Sequence, residues 1–304
     1  MQYTALLLAA LTALSTGVSG LALPALFSRE KCIEDLPQYQ QAKANQSTIF
    51  GLQLAGSAKD QDELDTTCSD LNDGAYSKWK QEGLVLNAIT QPICNPPHPP
   101  NATLTLPNLA TANTHLLTAL LLTAFPSQTT KSYLCTTLRY PLLDSLLLNS
   151  DTIIATLCNA TTTPQAPQPF TSPAQEGEEE NSTAVADLHT AAANLFAYTY
   201  ASGLTTPSAL SAACASASAR KSAWGKLMLN GTAVEEVLCS IKSPLKVDVA
   251  KARITEWSSR WFGTVLGGVS DAEGFKGEVC RGLSCGAMGE VGFDGEVVRG
   301  VFGC

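Results

Sequence analysis

The chain has 304 residues, 45% of them hydrophobic and 15% charged, with 19 basic against 27 acidic side chains and a formal net charge of −8. Its basic residues stand mostly singly, so no stripe forms that could neutralise phosphates, and neither nucleic acid nor an anionic membrane is expected as a partner. Past the N-terminal segment no apolar run reaches the length of a membrane span; the longest are Leu116 to Ala124 and Leu142 to Leu148.

Residues 1–22 hold no charged side chain, and the apolar run Ala5 to Leu14 leads into the small residues Ser15-Thr16-Gly17-Val18-Ser19-Gly20. This pattern predicts a secretory signal peptide over 1–20, with cleavage near Gly20 or Ala22. Ten cysteines and five Asn-x-Ser/Thr sequons, at Asn45, Asn101, Asn159, Asn181 and Asn230, point the same way. The expected product is a secreted, disulfide-bonded, N-glycosylated protein with no transmembrane segment once the signal is removed. The C-terminus Val301-Phe302-Gly303-Cys304 lacks the hydrophobic tail of a lipid-anchor signal.

After an N-terminal segment, 21–44, the cysteines fall into a rhythm. Cys68 and Cys94, Cys135 and Cys158, Cys214 and Cys239, and Cys280 and Cys304 are 26, 23, 25 and 24 positions apart. A recurring spacing of this kind signals tandem copies of one supersecondary unit. Anchored on the first cysteine of each pair, Phe50, Leu117, Phe196 and Phe262 share one column, and Leu54, Leu121, Tyr200 and Leu266 another. The columns lie four residues apart and so share a helix face.

Later in each copy, Leu86-Asn87, Leu148-Asn149, Leu229-Asn230 and Phe293-Asp294 precede a short segment that ends at the second cysteine. An apolar residue followed by Asn or Asp is helix-start chemistry, because the short side-chain oxygen accepts a backbone N–H left over at the first turn. The fold class expected is all-α: four tandem disulfide-stapled helical hairpin repeats, in two halves joined by a disordered linker.

The copies are placed at 45–95, 101–159, 182–240 and 244–304. In the first, the polar stretch Gln38 to Asn45 argues against an early helix start. In the second, Pro107 opens a helix that Pro126 closes, after the extended segment Asn95-Pro96-Pro97-His98-Pro99-Pro100. The linker 160–181 combines Pro164, Pro167, Pro169 and Pro173 with Glu178-Glu179-Glu180 and has little to bury. It is expected to set copies one and two against copies three and four.

In the third copy Val185, Leu188, Ala192 and Leu195 keep helical spacing up to Gly203, and Thr232-x-x-Glu235 offers a capping box. In the fourth, Ser243-Pro244 reads as a cap followed by proline at the first helical position. Ile254, Trp257, Trp261 and Val265 form its apolar stripe, with Trp261 or Phe262 turned outward.

Pairing within each copy closes loops of nearly constant length and leaves Cys32 with Cys285. A rival uses all ten cysteines sequentially: Cys32 with Cys68, Cys94 with Cys135, Cys158 with Cys214, Cys239 with Cys280, and Cys285 with Cys304. The first is preferred because the rival bridges the linker and encloses very unequal segments.

No residue constellation identifies a reaction. Gly282-Leu283-Ser284-Cys285-Gly286 fits the short Gly-x-Ser-x-Gly string, yet no histidine follows it and no βα alternation surrounds it. His98, His115 and His189 occupy unmatched positions of the copies. Asp60, Asp62, Glu63 and Asp65 lack the spacing of a calcium loop and read as acidity near a helix end. No catalytic residue, cofactor or metal is expected. The function expected is extracellular binding without catalysis, effector-like or structural, to a protein, a surface or a hydrophobic ligand. The leucines at 116, 117, 120, 121 and 122, with those at 142, 143, 146, 147 and 148, raise a carrier of a lipid or hydrophobic small molecule as the alternative. A helical enzyme of unrecognised type is a third.

Overall fold

The computed structural model describes residues 36–124, 134–135, 143, 148–158, 179–269, 276–277, 279–280, 283 and 292–304. The expected signal segment, Cys32, Asn159, the linker up to residue 178 and Cys285 lie outside them. Among the described residues all regular structure is helical. In chain order the helices are α1 (Leu36–Ser57), α2 (Gln61–Asn72), α3 (Ser77–Gln81), α4 (Leu86–Cys94), α5 (Ala102–Ala124), α6 (Ser150–Cys158), α7 (Glu179–Gly203), α8 (Pro207–Lys226), α9 (Gly231–Ser240), α10 (Val247–Val269) and α11 (Gly295–Phe302).

Four of these, α1, α5, α7 and α10, are long. Helix α1 packs along α5 and α4, α7 along α10 and α9, α8 on α9, and α11 on α10. None of the described helices is long and apolar enough to cross a membrane.

The phenylalanine/leucine column lies in the core at every position: Phe50, Leu117, Phe196 and Phe262 are all buried. In the second column Leu121 and Leu266 are buried, while Leu54 and Tyr200 are partly covered. Two clusters carry most of the apolar burial. One joins Leu117, Leu120 and Leu121 of α5 to Phe262, Val265 and Leu266 of α10. The other joins Phe50, Trp79, Ile89 and Ile93 to Phe196, Trp224, Val234 and Leu238. Both cores therefore draw on residues from either side of the linker, α5 and α10 contributing to one and the segments around α1 and α7 to the other. The expected division into an N-terminal and a C-terminal half does not describe them. An apolar helix face gives no instruction in the sequence as to which other helix it will meet.

Close helix approaches depend on two glycines. A Cβ on Gly51 would stand 2.7 Å from the Ile89 carbonyl oxygen of α4, and one on Gly203 would stand 2.6 Å from the Trp79 ring. Trp79 is fully buried, meets Phe50 edge-on at 5.1 Å, and donates its indole N–H to the Thr199 carbonyl at 2.8 Å.

Several local expectations change. Helix α1 starts at Leu36 rather than near 45; Gln40, Gln41, Ala42, Lys43 and Ala44 are good helix formers, and Ala42 is buried in the core. Helix α5 starts at Ala102, ahead of Pro107, because the Asn101 side chain accepts the N–H groups of Thr103 and Leu104 and nucleates the first turn. Pro107 then removes a donor from the carbonyl of Thr103 alone, an exposed residue. Helix α10 starts at Val247, three residues beyond Pro244. The intervening Leu245 carbonyl accepts a hydrogen bond from the Lys78 ammonium at 3.3 Å. Asn230 caps α9 by accepting from Thr232 and Ala233, so Thr232 is not the cap. Glu235 pairs instead with the Lys221 ammonium. Trp261 and Phe262 both point inward, and Trp257 is the partly exposed member, under the Arg260 guanidinium.

Candidate functional site

Disulfides join Cys68 to Cys94, Cys135 to Cys158, Cys214 to Cys239 and Cys280 to Cys304. The sequential pairing is thereby ruled out for these eight residues. The short helices α4, α6 and α9 reach the second cysteine at or near their last turn, and α11 stops just before Cys304.

A second contact recurs, and the sequence reading missed it. Ser47, Thr114 and Ser259 are buried hydroxyls on α1, α5 and α10, each twenty-one positions ahead of the first cysteine of its bridge. Each donates to the carbonyl four residues earlier, that of Lys43 (2.9 Å), Ala110 (2.8 Å) or Thr255 (2.6 Å). Each also accepts the backbone N–H at the start of the following short helix, from Val85 (2.9 Å), Asn149 (2.8 Å) or Asp294 (2.7 Å). At the corresponding place in α7 stands Ala193, which has no hydroxyl. There the Asn230 N–H goes directly to the carbonyl of His189, four residues earlier, at 3.1 Å. Its only trace in the sequence is a column with hydroxyls at three of four positions, Ser47, Thr114, Ala193 and Ser259.

Asn149, Asn230 and Asp294 act as helix caps through their side-chain oxygens. Asn87 does not: α4 begins at Leu86 behind Val85, which makes no side-chain cap.

The four long helices converge with the α8–α9 turn on a cavity of about 50 Å³. Its walls are mainly apolar, from Ile49, Leu116, Leu148, Leu188, Leu227 and Trp261. Gln53, Asn113 and His189 supply the polar side. Burial holds the His189 imidazole below its ordinary pKa, and its Nε2 is enclosed with no hydrogen-bond partner.

Met228 closes the cavity from the turn. Its φ of 63° is left-handed, and among the described residues no other non-glycine has a positive φ. This conformation ends α8, where glycine is the usual occupant, and a side chain there costs about 1–2 kcal/mol. A neutral imidazole and two amides can orient a guest by hydrogen bonds, whereas none of the lining residues is a carboxylate or a nucleophilic thiol or hydroxyl.

The remaining candidates are dispersed. His115 lies on α5, away from the cavity lining, and His98 sits in the proline segment with its Nδ1 2.9 Å from the Pro99 carbonyl. Asp60 caps α2, Glu63 accepts from the Lys59 N–H and pairs with Arg220, and Asp65 accepts from Gln61. Among the described residues no three metal-binding side chains converge. Of the Gly-x-Ser-x-Gly string only Leu283 is described, and it is buried in the core. The described leucines of the carrier alternative, including Leu117, Leu120, Leu121 and Leu143, are core residues. Among the sequons, Asn101 and Asn230 are exposed, Asn181 lies on α7, and the Nδ2 of Asn45 is enclosed inside α1 without a partner.

No known protein family, curated protein or solved structure matches this chain.

Proposed function

We propose that this chain is a secreted, N-glycosylated binding protein without catalytic activity, assembled from four copies of one disulfide-clamped unit. Each unit is a long helix, a cysteine-bearing helical segment and a short helix, which refines the hairpin read from the sequence. The observation that carries the four-copy reading is the hydroxyl relay together with its exception at Ala193. Where the hydroxyl is missing, the N–H reaches the same carbonyl the hydroxyl would have bonded. Four bridges of 26, 23, 25 and 24 residues are stable outside the reducing cytosol, which supports the extracellular assignment. Such a frame presents a fixed outer surface to an extracellular protein or a surface.

The test is to secrete the protein from a eukaryotic host and assay it against glycan, lipid ester and peptide substrates. No turnover above background is expected. Turnover abolished by one side-chain substitution overturns the proposal.

A second reading, carriage of a hydrophobic small molecule, is favoured by the central cavity, whose apolar walls lead to an unpartnered imidazole. At about 50 Å³ it has room for a few waters or the end of a ligand, against about 150 Å³ for benzene. Organic extraction of the secreted protein with mass spectrometry, and titration with a fluorescent fatty acid, decide it. Absence of both a co-purified lipid and a saturable signal removes this reading.

A further inference from the structure

Glu82 ends the α3 corner with only 6% of its surface exposed, and it faces Ser202 of α7, which is fully buried. One carboxyl oxygen, Oε2, is 2.6 Å from the Ser202 hydroxyl; the other, Oε1, is enclosed with no partner. The same hydroxyl lies 2.8 Å from the Thr199 carbonyl. A serine has one hydroxyl hydrogen, and here two acceptors compete for it. Both short contacts are satisfied together when Glu82 is the neutral acid: its O–H donates to the serine oxygen, and the serine donates to Thr199. An ionised Glu82 leaves a buried charge holding one shared hydrogen bond, which is costly in a dry site.

We propose that Glu82 and Ser202 form a proton-dependent clasp between the N-terminal corner and α7, closed while Glu82 keeps its proton and weakened when that proton leaves to solvent. The clasp joins residues 120 positions apart, beside the Trp79–Thr199 hydrogen bond that makes the same connection. The charged groups nearby are cations: Lys78 on α3, and Lys43 of α1, whose ammonium lies beside Gly83. Burial raises the Glu82 pKa above its ordinary value and outweighs the Ser202 hydrogen bond and the Lys78 charge, which both favour the carboxylate.

A group that binds its proton more tightly in the folded chain stabilises fully below its unfolded pKa. That contribution is lost as pH rises through the folded value, opposite to the usual carboxylate. The protein is thereby suited to an acidic medium, and raising the pH loosens the contact between its N- and C-terminal parts.

The experiment compares thermal midpoints of the wild type, Glu82→Gln and Ser202→Ala from pH 4 to pH 8. The glutamine amide donates to Ser202 as the neutral acid does, at every pH. The midpoint of Glu82→Gln minus that of the wild type is expected near zero at pH 4, rising by more than about 2 °C by pH 8. Ser202→Ala lowers the midpoint throughout and keeps the pH slope. As a second readout, an infrared pH titration of the wild type is expected to show a protonated-carboxyl band that outlasts those of the exposed carboxyls as pH rises and is missing from Glu82→Gln. A difference curve that is flat or falls with pH, or the same infrared spectrum for both proteins, overturns the clasp.

Discussion

Ser47, Thr114 and Ser259 show how much a single hydroxyl can do. Each closes a gap between two helices by passing one hydrogen bond on to the next, and each is buried, so its partners have no water to replace it. Replacing any one by alanine is expected to cost about 1 kcal/mol, the net worth of a hydrogen bond. The loss stays short of a full desolvation penalty because Ala193 shows the alternative: the short helix moves in and bonds the carbonyl directly. Ala193→Ser should bring no gain and cost about 1 kcal/mol, since the Asn230 N–H is already satisfied and the added oxygen enters a fully buried position. Urea-unfolding midpoints of the four variants check this. Losses of a few tenths or less in all three alanine variants would mean the relay only accompanies the packing. The relay was not legible beforehand because serine and threonine are common in this chain, and a hydroxyl column with one alanine in it looks like noise until the partner N–H is seen.

At the scale of elements the cysteine spacing was the most readable feature, and the reason is geometric. A bridge needs two Cα atoms about 5–6 Å apart, and the observed pairs stand at 5.1, 5.8, 4.8 and 5.6 Å. The four separations, 26, 23, 25 and 24 residues, are close enough for the pairing to be read from spacing alone. Helix boundaries were less legible, because capping groups compete. Asn230 pre-empted Thr232, and Asn101 overrode the signal of Pro107. The cavity was not legible at all, since its walls come from four helices distant in sequence.

The near-equal loops make a quantitative prediction. Removing one bridge, as in the double variant Cys68→Ala, Cys94→Ala, should cost about 3 kcal/mol by releasing the unfolded chain. The corresponding variants at Cys135–Cys158, Cys214–Cys239 and Cys280–Cys304 should cost nearly the same. Denaturant titration of all four pair variants measures it; one bridge whose removal costs nothing would show that its native geometry is already strained or its unit already ordered without it.

At the scale of the whole molecule, the cores decide what the linker does. Residues up to Cys158 and residues from Glu179 share two apolar clusters, with Leu117, Leu121, Phe262 and Leu266 in one, and Phe50, Trp79, Phe196 and Trp224 in the other. Polar contacts cross the same divide: Trp79 to Thr199, Lys78 to Leu245, and the Arg220–Glu63 ion pair. Neither part can cover its apolar faces alone, so the chain should behave as one cooperative particle rather than two domains on a tether. A protease site placed between Thr161 and Pro173 tests this. The cysteines expected to pair across the divide, Cys32 and Cys285, are first changed to serine so that only the cores can hold the parts together. After cleavage the two pieces should co-elute in size exclusion and appear as one mass in native spectrometry. They should separate only in denaturant, with a single unfolding transition shared by both. Two folded pieces that part under native conditions would show instead that each half closes its own core, and that the faces of α5 and α1 find partners within the first half.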